Sequence, residues 1–483
     1  MLNKKRIGLL FGPLAYILIQ WFFRSEGLSD KGVSVLAATA WIAIWWITEA
    51  IAIEATALLP LILFPLAGVS SLGDTGAAYG HKFIFLFLGG FMIALTIEKW
   101  NLHRRIALHI IELVGTSLIR VILGFMLSTA LLSMWISNTA TTVMILPIGM
   151  AVVAKLGEAF DRKDRNNFRK ALMLAIAYSA SIGGMATLIG TPPNLIFAGV
   201  VEETYQIEIT FLQWFSLGLP VAVVLLIICW YYLSYRAFPL KGLQFPGGKT
   251  VIKEQLKNLG PMSRQEKMVL AVFGLTALAW VSRSFLLVKL IPKVDDTIIA
   301  LTGAILLFIL PSGKRGERLL SWQDAVKLPW GVLLLFGGGI ALAVGFQSSG
   351  LAQWIGTQLQ TLGGVPIFIL VLVIVATVNF LTEITSNLAT TTILLPILAA
   401  LAVMMGVHPF LLLIAATLAA SCAFMLPVAT PPNALVFGSG HIQMSDMIRT
   451  GVWLNLISIL LLTLFVYFLL PHLWGFAIQG AIL

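Results

Sequence analysis

The sequence predicts an all-α polytopic membrane protein, with about 11 transmembrane helices and two re-entrant helical hairpins in two inverted repeats. Three observations predict it. Of 483 residues, 59% are hydrophobic and only 11% charged, where soluble domains carry roughly 25% charged residues. The apolar residues form runs that match helical spans of ~20 residues. A set of polar motifs inside those runs occurs twice, in the same order.

The first run, Ile7 to Phe23, follows Lys4, Lys5 and Arg6. It is long for a signal peptide, and Arg24-Ser25-Glu26-Gly27 offers no small-residue cleavage site. A retained first helix with a cytoplasmic N-terminus is expected. Further spans are predicted at 33–50, 53–68, 83–98, 213–235, 267–290, 296–311, 330–347 and 452–471. Longer segments occupy 117–156, 170–200, 364–402 and 408–437. The expected organisation is 1–82 as N-terminal scaffold helices, 83–235 as the first repeat, 236–266 as a basic cytoplasmic linker, 267–329 as scaffold helices, and 330–483 as the second repeat.

The net charge is +10. The basic residues sit between apolar runs, which reads as a positive-inside topology rather than as a nucleic-acid surface. Cys229 and Cys422 lie inside apolar segments, and the six histidines show no metal-ligand spacing. Neither a disulfide framework nor a zinc site is expected.

The duplication is explicit. Ser137-Asn138-Thr139-Ala140-Thr141-Thr142 recurs as Ser386-Asn387-Leu388-Ala389-Thr390-Thr391, each leading to Leu-Pro-Ile. Thr191-Pro192-Pro193-Asn194 recurs as Thr430-Pro431-Pro432-Asn433, and Gly89-Gly90 is matched by Gly337-Gly338-Gly339. The interval from Asn138 to Thr191 exceeds that from Asn387 to Thr430 by ten residues, which matches the charged stretch Asp161-Arg162-Lys163-Asp164-Arg165. The Lys- and Arg-rich loop Lys155–Lys170 is expected in the cytoplasm, and its uncharged counterpart near Val407-His408-Pro409 outside. Glu202, Glu203 and Glu208 follow the first Thr-Pro-Pro-Asn, whereas Arg449 follows the second. The repeats therefore face opposite ways, as in secondary transporters.

A single Ser-Asn pair in an apolar segment is commonly interhelical glue. Duplicated near the middle of segments too long for one span, the pair predicts hairpin tips that meet near the midplane, where irregular backbone must be buried or line a cavity. Consecutive prolines break a helix, so Gly190-Thr191 and Ala429-Thr430 should lie in unwound stretches with free carbonyls. Such carbonyls coordinate cations, and half-helix N-termini point at anions. The windows 131–150, 180–200, 384–400 and 421–440 contain no Lys, Arg, Asp or Glu. An anion held there needs compensation, and co-bound cations can supply it. Oxygen-only ligands suit a hard cation such as sodium. Proton coupling would want a titratable relay, and only Glu383 lies beside a motif. Glu49, Glu54 and Glu98 are expected to cap, pair or brace helices, and Glu383 either to brace the second hairpin or to tune cation affinity. Trp21, Trp45, Trp46 and Trp230 are expected as interface anchors or packing.

These motifs resemble the divalent-anion/sodium symporter family, the INDY-type dicarboxylate and citrate carriers. The resemblance covers nearly the whole chain and includes Trp46-Ile47-Thr48-Glu49-Ala50, Phe87-Leu88-Gly89-Gly90-Phe91-Met92, both Ser-Asn motifs and Pro427-Val428-Ala429-Thr430-Pro431-Pro432-Asn433. It implies a homodimer with a scaffold domain and a transport domain that moves as an elevator; the lack of a targeting peptide and the compact loops lead to the expectation of a bacterial inner membrane. It implies sodium ions as co-transported partners and a small dicarboxylate as substrate. Ser133, Ser137, Asn138 and Gly190 would form one sodium site, and Thr382, Thr385, Asn387 and Ala429 the other. Gly190 and Ala429 would contribute by backbone. Ser137, Asn138, Thr139, Ser386, Asn387, Thr430 and Pro431 would meet the substrate. Many bacterial members carry Thr in both third motif positions. Here the second is Leu388, one hydroxyl fewer. The family also contains sodium-independent exchangers of citrate, tartrate or dicarboxylates. A membrane-embedded enzyme would need clustered His, Asp or Cys at membrane depth, and the sequence offers none. The C-terminus is expected outside.

Overall fold

Lipid offers no partners to backbone N–H and C=O groups, so a membrane chain satisfies them internally. The computed structural model describes residues 4–115, 117–155, 161–240, 248–314, 316–358 and 364–479, and it contains helices and no named strand among them. The chain opens with α1 (Lys4–Phe22), α2 (Asp30–Thr48), α3 (Ile53–Thr56), α4 (Leu59–Leu66), α5 (Leu72–Ala77) and α6 (Lys82–Lys99). Next come α7 (Leu102–Val114), α8 (Leu118–Ser133), α9 (Asn138–Lys155), α10 (Arg162–Gly184), α11 (Pro192–Tyr205) and α12 (Phe211–Tyr231). Between the repeats lie α13 (Gly248–Leu259), α14 (Arg264–Ser282), α15 (Val288–Leu290), α16 (Asp296–Ile309) and α17 (Trp322–Ala325). The second repeat holds α18 (Trp330–Ser348), α19 (Leu351–Gln358), α20 (Ile367–Leu381), α21 (Asn387–Met404), α22 (Pro409–Ala420), α23 (Pro431–Gly438), α24 (Met444–Leu464) and α25 (Leu470–Trp474).

Eight helices among the described residues are long and apolar enough to cross a membrane, and five shorter apolar helices accompany them. The predicted long segments resolve as expected into helix pairs. Two are hairpins, α8/α9 and α20/α21, with turns at 134–137 and 382–386. Two are broken helices, α10/α11 and α22/α23, unwound at 185–191 and 421–430. Thr191 and Thr430 take almost the same extended conformation before their prolines, at φ/ψ −145°/144° and −142°/149°.

Two regions differ from expectation. The charged stretch Asp161–Arg165 is not a loop. Asp161 caps α10 by accepting from the Asp164 N–H at 2.6 Å, and the helix runs 23 residues against 12 in α22. The extra residues of the first repeat thus lengthen a helix; residues 156–160 of the expected loop lie outside the described residues. The linker 236–266 carries α13, which packs against α7 and α9; its residues 241–247 lie outside the described residues. Arg105 ties α7 to this region through Glu266 at 2.6 Å and the Gly260 carbonyl at 3.0 Å. Glu49 ends α2 in the left-handed conformation, at φ 48°. The Trp46 indole is buried and donates to the Ile53 carbonyl at 3.0 Å, a packing role.

Two groups of helices stand out by their contacts, and α18, which packs on α11, α21 and α6, touches both. In one, α6 lies along α16, Lys99 pairs with Asp324 at 2.8 Å, and the Thr297 hydroxyl donates to the Lys82 carbonyl at 3.2 Å. The other joins the hairpins to the broken helices across the repeats: α9 packs on α23 and α21 on α11. The Tyr178 hydroxyl donates to the Phe424 carbonyl at 2.7 Å, Met185 and Cys422 touch through sulfur at 3.8 Å, and Lys170 pairs with Asp446 at 2.7 Å. Each of these three contacts links one repeat to the other.

Candidate functional site

The two hairpin tips build the same small constellation. At the first, Ser133 Oγ stands 2.6 Å from Asn138 Oδ1 and 2.7 Å from the Ala180 carbonyl oxygen. At the second, Thr382 Oγ1 stands 2.6 Å from Asn387 Oδ1 and 3.0 Å from the Ala420 carbonyl oxygen. Each hydroxyl has one proton and faces two acceptors. Each triad therefore holds surplus acceptor oxygens, the donor chemistry of a hard-cation site. The Thr142 and Thr391 hydroxyls each donate to the carbonyl of their tip asparagine at 2.8 Å, fixing the start of α9 and α21.

The unwound stretches are shaped to meet these tips. A methyl on Gly184 would lie 2.5 Å from Asn138 Oδ1, so glycine there admits the asparagine to the backbone. A methyl on Gly190 would lie 2.5 Å from the Gly184 carbonyl oxygen, so the chain doubles back on itself only with glycine. The last residue of Thr-Pro-Pro-Asn is the brace. Asn194 Nδ2 donates to the Gly184 and Thr187 carbonyls at 3.2 and 2.7 Å, and Asn433 Nδ2 to the Ala423 and Leu426 carbonyls, both at 3.1 Å. Sequence reasoning singled out the motif but gave these asparagines no role. Their presence in both copies was the available signal. It also missed Ala180, Ala420 and Gly184, whose contribution is by backbone or by lack of a side chain.

The other predicted residues are placed as follows. Ser137 Oγ accepts from the Ala140 N–H at 3.3 Å, as a helix cap does. Thr385 Oγ1 donates to the Leu381 carbonyl at 2.8 Å and lies 2.6 Å from Thr390 Oγ1. Neither side chain joins its oxygen triad. Thr430 is buried and accepts from the Asn433 N–H at 3.3 Å. Thr139 and Pro431 are exposed, Ser386 is half-buried at the start of α21, and Ala429 occupies the position of Gly190.

This duplicated arrangement is found in a chain that matches, over residues 4–475, the family described as the sodium:sulfate symporter transmembrane region. The chain belongs to the sodium:sulfate symporter family. It is 49% identical to a Staphylococcus saprophyticus protein named sodium-dependent dicarboxylate transporter SdcS, over 97% of this chain and 92% of that one. A protein of the same name from Staphylococcus aureus is 49% identical over 98% of this chain and 92% of its own length. Among solved structures, Neisseria gonorrhoeae MtrF aligns with a TM-score of 0.62 at 13% identity, covering 97% of this chain and 96% of MtrF. Alcanivorax borkumensis YdaH aligns at 0.56 and 12%, covering 99% and 100%. At those identities the likeness concerns the fold.

Two further features distinguish the second tip of this sodium:sulfate symporter family member. Leu388, which stands where the first motif has exposed Thr139, is buried. The missing hydroxyl is thus replaced by a buried, packed side chain. Glu383 braces. Its Oε1 accepts the Phe424 and Met425 N–H groups at 2.7 and 2.9 Å and the Asn455 amide at 2.7 Å, and its Oε2 accepts the Leu426 N–H at 2.9 Å. An ionised carboxylate only accepts, so four donors match it. The equivalent first-repeat residue is Met134, whose carbonyl instead accepts the Thr187 hydroxyl at 2.5 Å. Among the described residues no three His, Cys, Asp or Glu side chains cluster as a metal group.

Proposed function

We propose that the chain imports small dicarboxylates such as succinate, malate and fumarate with sodium ions. The observation that carries this is the pair of matched oxygen triads, Ser133/Asn138/Ala180 and Thr382/Asn387/Ala420, at the breaks of two oppositely oriented repeats. The name of the 49%-identical relatives, sodium-dependent dicarboxylate transporter, points the same way. Each triad would hold one sodium ion, with the Gly190 and Ala429 carbonyls and the Ser137 and Thr385 hydroxyls available to complete the shells. The neighbouring windows carry no protein charge, so the bound cations and the N-terminal ends of α9 and α21 balance the substrate carboxylates. Asn138 and Thr139 would meet one carboxylate, Ser386 and Asn387 the other, with Thr430 and Pro431 close by.

The hairpins and broken helices would move as one body against the helices of the other group, as an elevator in a homodimer. The contacts across the repeats support this division. We place the chain in a bacterial inner (plasma) membrane with the N-terminus, the Lys155–Lys170 stretch and α13 in the cytoplasm, and the C-terminus outside. Succinate uptake into proteoliposomes is expected with an inward sodium gradient and not with potassium or choline. Equal uptake in all three salts would overturn the coupling and move the protein to the exchangers.

A further inference from the structure

The outer end of the seam between the two helix groups carries a concentration of charge that the ion and substrate sites do not use. On one side are Lys82, the first residue of α6, and Arg283, at the end of α14. On the other are Glu202 and Glu203, in the last turn of α11, and Glu208, in the connection to α12. Lys82 Nζ is 2.5 Å from Glu202 and 3.8 Å from Glu208. Arg283 Nη1 is 2.9 Å from Glu208, and its Nη2 donates to the same carboxylate at 3.2 Å. Arg283 also lies 3.2 Å from Asp296, whose other tie is the N–H of Phe211 at 2.7 Å. The His81 ring sits 3.6 and 3.4 Å from Glu202 and Glu203. Burial pushes the Glu208 carboxyl up, but its hydrogen bond and charge pairing with Arg283 outweigh this and hold it below the usual carboxylate range, so it stays charged.

The cluster has no mirror. Counting from the Thr-Pro-Pro-Asn motifs, Glu202 and Glu203 correspond to His441 and Ile442. Counting from the helix starts, Lys82 corresponds to Trp330, the first residue of α18. The halves repeat closely at the tips, yet the residues in the places of Lys82, Glu202 and Glu203 are Trp330, His441 and Ile442, which do not repeat these ion pairs.

We propose that Lys82 and Arg283, paired with Glu202 and Glu208, form a one-sided latch that favours the arrangement described here over its opposite. The inference rests on the two-body reading above. The ties are geometrically specific, partly shielded from solvent and between groups that must separate when one body slides on the other. They therefore contribute to the position described here and are lost when the bodies slide apart.

Cross-linking across the same seam tests this without relying on transport. Gln347 of α18 donates to the Thr204 carbonyl of α11 at 3.3 Å, so cysteines at these two positions lie within reach of a short bismaleimide. The native Cys229 and Cys422 are fully buried, and a control without the added pair accounts for them. In Thr204→Cys/Gln347→Cys protein, Lys82→Met or Glu202→Gln should slow cross-linking at least threefold. The reversed pair, Lys82→Glu with Glu202→Lys, should recover most of the rate. Potassium chloride raised from 0.05 to 0.5 M, which shortens the screening length, should slow the parent and leave Lys82→Met unchanged. Equal cross-linking in parent and single variants at both salt levels would overturn the latch. Separately, uptake that continues in fully cross-linked vesicles would overturn the sliding motion itself, whatever the latch variants do.

Discussion

At the first tip, Ile189 is buried against Gly90 of α6, and Trp135 stacks on Trp280 with ring centroids 6.3 Å apart. At the second tip the residues in the same places, Val428 and Ile384, are 78% and 61% exposed. Yet the oxygen triads and the bracing asparagines match almost bond for bond, and the threonines before the prolines share one backbone conformation, although only Thr430 caps its helix with its side chain. The comparison separates two demands. Ion coordination, as proposed above, would fix the interior of each tip, because only certain oxygens at certain distances will serve. The outside of each tip differs, because in this structure the first is covered by neighbouring helices and the second is exposed. The supports also differ. The first unwound stretch is held by neutral groups, the Trp214 indole on the Met185 carbonyl at 3.0 Å and the Thr187 hydroxyl. The second is held by the Glu383 carboxylate and Asn455.

The largest effect should come from the shared interior. Asn138→Ala and Asn387→Ala each remove one triad ligand, and sodium-driven succinate uptake should fall to the level of empty vesicles, with an unchanged size-exclusion profile. A single ion ligand of this kind is worth about 1.5–3 kcal/mol, so measured sodium affinity should drop about ten- to a hundredfold. Near-normal uptake in either variant would break the equivalence of the tips. Next comes the support. Glu383→Gln turns a pure acceptor into a group with one donor end facing backbone N–H, and should cost about 2–3 kcal/mol in thermal unfolding. Met134→Leu, at the same place in the first tip, should cost under about 1.5 kcal/mol. Equal losses would mean that the carboxylate is not the brace it is taken for. The smallest effect should come from the third motif position. Thr139→Leu removes an exposed hydroxyl and should raise the succinate KM about fivefold, one hydrogen bond's worth. Leu388→Thr should change the citrate-to-succinate preference by less than that, with little loss of folded protein; an identical competition profile would remove Leu388 from selectivity.

The broken helices were legible because two consecutive prolines cannot sit inside a helix, and the duplication showed that both breaks mattered. Of the residues singled out for the tips, the structure places Ser133 against Asn138 and Thr382 against Asn387. The Ser137 and Thr385 hydroxyls make local hydrogen bonds besides, which residue type alone does not foretell. The helices α7 and α13 escaped notice because an amphipathic, charged helix has the mean hydropathy of a loop. The charged start of α10 was misjudged for the same reason. Glu383 could be noticed but not assigned. Three of its partners are backbone N–H groups some forty residues away, which any residue but proline at 424–426 would supply, and the fourth is the more distant Asn455 amide.

The cross-packing of α9 on α23 and of α21 on α11 has a kinetic consequence. Neither tip can change its place without carrying half of the other repeat with it. With a sodium ion at each tip, as proposed above, occupancy at one would alter the position available to both, and the two sites would not fill and empty as independent compartments. Initial uptake plotted against external sodium should rise with a sigmoid foot and a Hill coefficient above one, and substrate should sharpen that curve instead of merely scaling it.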